Sequence, residues 1–100
     1  MTNTYNLDCR FDTRKSFYGK AQVTETKYKG LNLIELYSYG TLVAKVEEKE
    51  DKKVYIYMGK YSQTTTRHQK EFFKQNGLND KEIKQLFKNG MLTKEDEEVI

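Results

Sequence analysis

Apolar residues in this chain alternate with polar ones through much of its first two-thirds, then switch to a helical spacing. Ala21–Lys27, Leu31–Tyr39, Thr41–Val46 and Val54–Met58 alternate and are rich in Val, Ile, Thr and Tyr, the composition of strands. Lys29-Gly30 and Tyr39-Gly40 mark reversals, because glycine accepts positive φ at no steric cost. The charged run Glu47–Lys53 reads as a solvated hairpin loop. Ile34, Leu36, Leu42, Ala44, Val46, Val54, Ile56 and Met58 are assigned to a buried face. Leu33, Glu35, Tyr37, Tyr39, Tyr55 and Tyr57 then fall on the opposite one.

Beyond Gly59 the period lengthens. Ser62, Thr64 and Thr65 are candidate N-caps for a helix over about 65–76, with His68, Phe72 and Phe73 on its inner side and Gly77 as its stop. Asn79 and Glu82 form a capping box for a second helix, with Ile83, Leu86 and Phe87 as its apolar stripe and Asn89-Gly90 as its end. The expected fold is α+β: an antiparallel sheet of three to four strands with two short C-terminal helices packed on one face. It forms a single domain over 1–100. Residues 1–15 are read as an arm or an edge strand, and 91–100 as an acidic tail.

Composition narrows the chemistry. A chain of 100 residues makes one compact core, and with 13% aromatic residues much of its burial falls to Tyr and Phe. The net charge of +3 conceals a basic body and an acidic end: Lys94 stands against Glu95, Asp96, Glu97 and Glu98 in the last ten residues. Only Arg10, Arg14 and Arg67 are arginines, which weakens a sequence-specific DNA reading, since arginine is the better bidentate reader of phosphate and guanine. One cysteine, Cys9, leaves no internal disulfide, and one histidine with one cysteine cannot make the usual zinc site. No apolar run approaches the roughly 20 residues needed to span a bilayer, and no secretory signal core precedes the body. The expectation is a cytoplasmic protein with no membrane partner.

No nucleotide-binding, metalloprotease or calcium-loop motif is present. His68 and Cys9 could in principle pair for nucleophilic catalysis, but nothing flanking them supports it, and His68 reads as a packed helix residue. No catalytic residue, cofactor or metal is expected. The sharper feature is the tyrosine face. Tyr37, Tyr39, Tyr55, Tyr57 and Tyr61, with Lys45 and Lys60 beside them, are the candidate partner-binding residues. Such a surface suits a protein hot spot, and equally the stacking of unpaired bases. Arg67, Lys70 and Lys74 would add phosphate contacts in the nucleic-acid alternative. Cross-strand aromatic pairing or self-association explains the same residues without any partner.

The stretch YSYGTLVAKV, followed by YMGKYSQTTTRHQKEFFKQNG, resembles small uncharacterised proteins of phages and conjugative plasmids in low-GC Gram-positive bacteria. In those, a Tyr-Ser-Tyr-x-Thr turn precedes a strand and a Ser-x-Thr-Thr helix start ends in Gln-x-Gly. The resemblance covers about 17–77 and carries no catalytic signature. It implies an accessory protein that acts on a host machine. By analogy of genomic setting, it implies an anti-CRISPR protein that inhibits Cas9 or its guide-RNA assembly, working as a monomer or homodimer. A basic chain does not suit simple DNA mimicry, so docking on the effector or competition for guide RNA is the expected mode. The alternative is a small single-stranded nucleic-acid (RNA) binding protein.

Overall fold

The computed structural model describes residues 2–95. Its strands are β1 (Thr2–Asn6), β2 (Ala21–Tyr28), β3 (Leu31–Ser38), β4 (Thr41–Glu48), β5 (Lys52–Tyr57) and β6 (Met91–Glu95). Between β5 and β6 lie α1 (Gln63–Gln75) and α2 (Asp80–Asn89). All six strands form one antiparallel sheet in the order β1-β2-β3-β4-β5-β6. The α+β character is as expected. The sheet is larger than the expected three to four strands, and the helices precede a strand rather than ending the fold.

Both added strands sit at edges, where the hydrophobic signal is weak. β1 is exposed along its whole length and pairs only with β2. Residues 91–95, expected to begin an acidic tail, instead pair with β5 as β6; the rest of that tail, 96–100, lies outside the described residues. The charged run is mostly strand: β4 continues to Glu48 and β5 begins at Lys52, so only 49–51 turn.

That longer pairing decides which side of β5 is inside. Val46 lies opposite Tyr55 and Ala44 opposite Tyr57, so both tyrosines share the face of the buried aliphatic residues. Tyr55 is 1% exposed, packs edge-on to Phe73 at 6.4 Å, and donates its hydroxyl hydrogen to the Asn76 carbonyl at 2.7 Å. Tyr57 stacks on Phe87 at 4.1 Å. The expected orientation of β5 is therefore reversed: Val54 and Ile56 take the outer side. A ring reaches further beneath the helices than a valine, and its polar tip meets a helix-end carbonyl that needs a donor.

A bulge between Leu36 and Tyr37 makes a second correction. It leaves Val43 and Ala44 both buried and sets Leu42 opposite Tyr37 on the outer face. An inward-facing Leu42 and an outward-facing Val43 had been expected. Gln69 of α1, fully buried, donates to the carbonyls of Val43 and Gly59 at 3.0 Å each, so the irregular backbone is satisfied by the helix.

The helices begin as the hydroxyl and amide pattern indicates. Ser62 caps α1 by accepting from the Thr65 amide at 3.1 Å, two residues before the expected start. Asn79 and Glu82 form the capping box of α2. Phe72, Phe73, Ile83 and Leu86 close over Leu36, Val46 and Tyr55 to make the core. Helix contacts fall on β3 through β6. The 7–20 segment adds Leu7 and Phe17 to the same core, beside Ala21 and Val23 of β2.

Glu71 fixes that segment. Its carboxylate, 2% exposed, accepts the backbone N–H groups of Arg10, Phe11 and Asp12 at 3.1, 3.0 and 2.8 Å, and the Gln75 side-chain amide at 2.6 Å. Hydrogen bonds to an ionised acceptor contribute about 1.5–3 kcal/mol each when removal strands a partner. Glu71→Ala should cost about 2–4 kcal/mol in chemical denaturation. Amide exchange over 8–14 should accelerate while the strands stay protected; unchanged exchange there would remove Glu71 from this role.

Burial pushes the Tyr55 hydroxyl up to about 12. A raised value favours the protonated native form, so its contribution is intact below pH 10 and lost as pH climbs from there to about 12. Tyr55→Phe should cost about 1 kcal/mol at neutral pH for the lost hydrogen bond. The deficit should shrink in the same alkaline window in urea titrations; a constant deficit would mean the hydroxyl is not shielded. Tyr55→Ala should cost about 3–5 kcal/mol as a core truncation.

Candidate functional site

The expected tyrosine face does not assemble. Tyr55 and Tyr57 are inside, against Phe73 and Phe87. Tyr39 has φ 52 in the β3–β4 reversal, which swings its ring to the helix side, 5.8 Å from the His68 ring. Tyr37 lies on the outer sheet face between Gln22 and Leu42. Lys45 is on that same face and pairs with Glu47 at 3.6 Å. Lys60 and Tyr61 are exposed in the connection from β5 to α1. The seven residues are thus divided among the interior, the outer face and one end of the molecule.

Arg67, Lys70 and Lys74 do come together. They line a shallow cavity of about 230 Å³ along α1, beside Phe11, Asp12 and Thr13. Two of the three already have partners: Arg67 pairs with Asp12 at 3.3 Å and Lys74 with Asp80 at 3.0 Å. The strip lies on the helix side of the sheet, so it cannot extend a binding surface that begins at Tyr37.

The outer face of the sheet carries no second layer among the described residues. Cross-strand register places Leu33, Glu47, Val54 and Thr93 in one row, and Glu35, Lys45, Ile56 and Met91 in the next. These side chains are half-buried or exposed, with Met91 at 56%.

One cavity lies where sequence reading placed only solvated charge. It has a volume of about 650 Å³ and opens between the β2–β3 and β4–β5 hairpin tips. Lys27, Lys29, Lys49, Lys52 and Lys53 line it, against the two carboxylates of Glu48 and Glu50. The antiparallel register forces this convergence: Lys27 sits opposite Asn32, Asn32 opposite Glu48, and Glu48 opposite Lys53. Lys53 holds Glu48 at 3.0 Å, and the Asn32 amide nitrogen donates to Glu48 at 3.0 Å. These contacts, the Asn32 bond first, hold the Glu48 carboxyl below its usual range despite burial. The Asn32 side-chain oxygen is buried with no hydrogen-bond partner. Tyr28, 66% exposed, stands at the rim with the Lys29 ammonium 5.8 Å from its ring centre. The groove therefore offers cations for an anionic backbone and a ring for stacking.

At the opposite end of the strands, the end of β3 meets the first turns of α1. Ser38, at the end of β3, places its Oγ 2.9 Å from Thr65 Oγ1 and 2.8 Å from His68 Nδ1. All three side chains are buried, and Phe17 packs edge-on to the imidazole at 4.5 Å. Burial lowers the His68 pKa and keeps the ring neutral. Its stabilising effect is present above the ordinary histidine range and is lost as pH falls through it, because the unfolded chain takes up the proton first. Sequence reading placed His68 on the inner side of its helix. The partner Ser38, 30 residues away, was not legible from local spacing. Cys9 is half-buried and its thiol is pushed up by burial and then by the acids around it, Asp12 first, so it lacks the thiolate character of a nucleophile.

Among the described residues no group of three or more His, Cys, Asp or Glu side chains is placed to hold a metal ion, and no helix is long and apolar enough to cross a membrane. No curated protein and no solved structure matches the chain. One family model does, over residues 5–89, which spans β1 through α2. By that extent the chain belongs to DUF8033, a family of unknown function.

Proposed function

We propose that this is a non-catalytic binding protein whose partner is a single-stranded nucleic acid, gripped in the groove between the hairpin tips. The observation that carries the reading is the convergence of five lysines on one cavity of about 650 Å³. Phosphates would lie against Lys29, Lys49 and Lys52, and an unpaired base would stack on Tyr28. RNA in a bacterial cytoplasm is the source that the mobile-element resemblance favours. Competition for the guide RNA of a Cas9-type effector is then the route by which such a protein would disable host defence.

Fluorescence anisotropy with a labelled single-stranded oligoribonucleotide tests this directly. Binding should weaken with salt at a log–log slope of about −0.7 per neutralised phosphate, giving roughly −2 for three lysine contacts. Combined Lys29→Glu, Lys49→Glu and Lys52→Glu should abolish binding without lowering Tm by more than a few degrees. Lys84→Glu with Lys88→Glu, on the exposed side of α2, should leave it intact. Salt-independent binding, or binding that survives the triple reversal, would sink the proposal.

A second reading rests on the uncovered sheet face. Its Leu33, Val54, Ile56 and Met91, interleaved with the Lys45–Glu47 pair, suit a protein contact rather than a nucleic acid. Its occupant under the same resemblance is the effector protein itself. Val54→Lys with Ile56→Lys should then release inhibition of a purified Cas9-type nuclease while the groove still binds RNA. Inhibition that persists in this variant and disappears in the lysine triple would decide for the groove.

A further inference from the structure

A small cavity of about 60 Å³ lies at the end of the molecule opposite the lysine groove, lined by Arg14, Ser16, Thr64, Arg67 and His68 among others. A water needs about 10–15 Å³ on this measure, so the space is that of a few waters or one tetrahedral oxyanion. Three segments build it: the 14–18 loop, which follows the 10–12 backbone that Glu71 holds, the β3–β4 reversal, and the first turns of α1. Phe17 and Tyr39 enclose the imidazole from two sides, at ring distances of 4.5 and 5.8 Å.

The donor set is one-sided. His68 is 1% exposed and lines the cavity, with Nδ1 taken by Ser38. The hydroxyl chain can run in either direction; when Thr65 donates to Ser38 and Ser38 donates to Nδ1, Nε2 keeps the hydrogen of the neutral ring, and this is the direction that an anion in the cavity would select. Arg67 gives one nitrogen to Asp12 at 3.3 Å and retains other donors. The Arg14 backbone N–H is engaged by Asp12 at 2.9 Å, while its guanidinium makes no hydrogen bond or ion pair among the described residues. Asp12 is the acid that faces this cluster, and its Oδ1 serves both arginines. Two guanidinium groups, an imidazole N–H and two hydroxyls make a set that wants an acceptor with several oxygens.

We propose that this cavity binds a phosphoryl group, held by Arg14, Arg67 and His68 Nε2, with the hydroxyls of Ser16 and Thr64 completing the shell. Its source is either free inorganic phosphate or the terminal phosphate of a nucleotide. In the second case the base would lie over Tyr18 and Tyr39, which are 76% and 58% exposed. The site stands independently of the lysine groove, because the strands separate the two ends and no lining residue is shared.

His68 is the one histidine of the chain, so its imidazole gives an unambiguous NMR reporter. Inorganic phosphate, adenosine 5′-monophosphate and adenosine would be titrated separately into the full chain. The expected result is a saturable shift of the His68 ring resonances with phosphate and with the monophosphate, and none with adenosine. Arg14→Gln and Arg67→Gln should each weaken binding about tenfold, the scale of one charge-assisted contact. Tighter binding of the monophosphate assigns the site to nucleotide ends; equal binding assigns it to free phosphate. An imidazole that neither anion moves at millimolar concentration would overturn the proposal. So would a shift that persists in the double arginine variant with native tyrosine circular dichroism.

Discussion

The fold is organised by the polar side chains that α1 buries. Thr65, His68, Gln69 and Glu71 are as deeply covered as Phe72 and Phe73 beside them. Buried polar groups are tolerated when paired, and each of these four bonds chain outside its own helix. Thr65 and His68 hold the end of β3, Gln69 holds the β4 bulge and the turn after β5, and Glu71 holds the 10–12 backbone. A single helix thus pins three irregular pieces of chain that have little regular structure of their own. The aromatic residues supply the burial, and the polar ones determine where each piece lies.

Both candidate sites follow from that arrangement. The cavity lined by Arg14 and Arg67 lies next to that pinned backbone, since Glu71 holds residues 10–12, just ahead of Arg14, against the helix that carries Arg67. The lysine groove lies where the helices no longer cover the sheet. Between the hairpin tips, long side chains keep their charged heads in water and their stems along the strands. Neither site is a property of one local motif.

Much of the fold was legible in the sequence. The strands from Ala21 to Val46 follow from alternation, and Asn79 with Glu82 locates α2 to the residue. β5 was ambiguous because both of its faces are apolar: Val54 and Ile56 on one, Tyr55 and Tyr57 on the other. The choice between them is made by register through Glu47–Lys53, where charged residues continue as strand. β1 carries one large apolar side chain, Tyr5, and β6 is half charged or polar, so neither shows the pattern of a buried strand. For the sites, Arg67, Lys70 and Lys74 share a helix side at a spacing the sequence displays. The hairpin lysines and the Ser38–His68 pair become neighbours only through long-range pairing, which local spacing does not encode.

The order of the sheet has a kinetic consequence. From β1 to β5 each strand pairs with its neighbour in sequence, so loops close cheaply and the meander can zip from any hairpin. β6 differs, since it reaches β5 only after two helices have intervened and it touches α2 as well. Its docking must wait until both helices lie on the sheet. The last strand is therefore the latch of the molecule, the piece that closes late on folding and lets go early when stability is challenged.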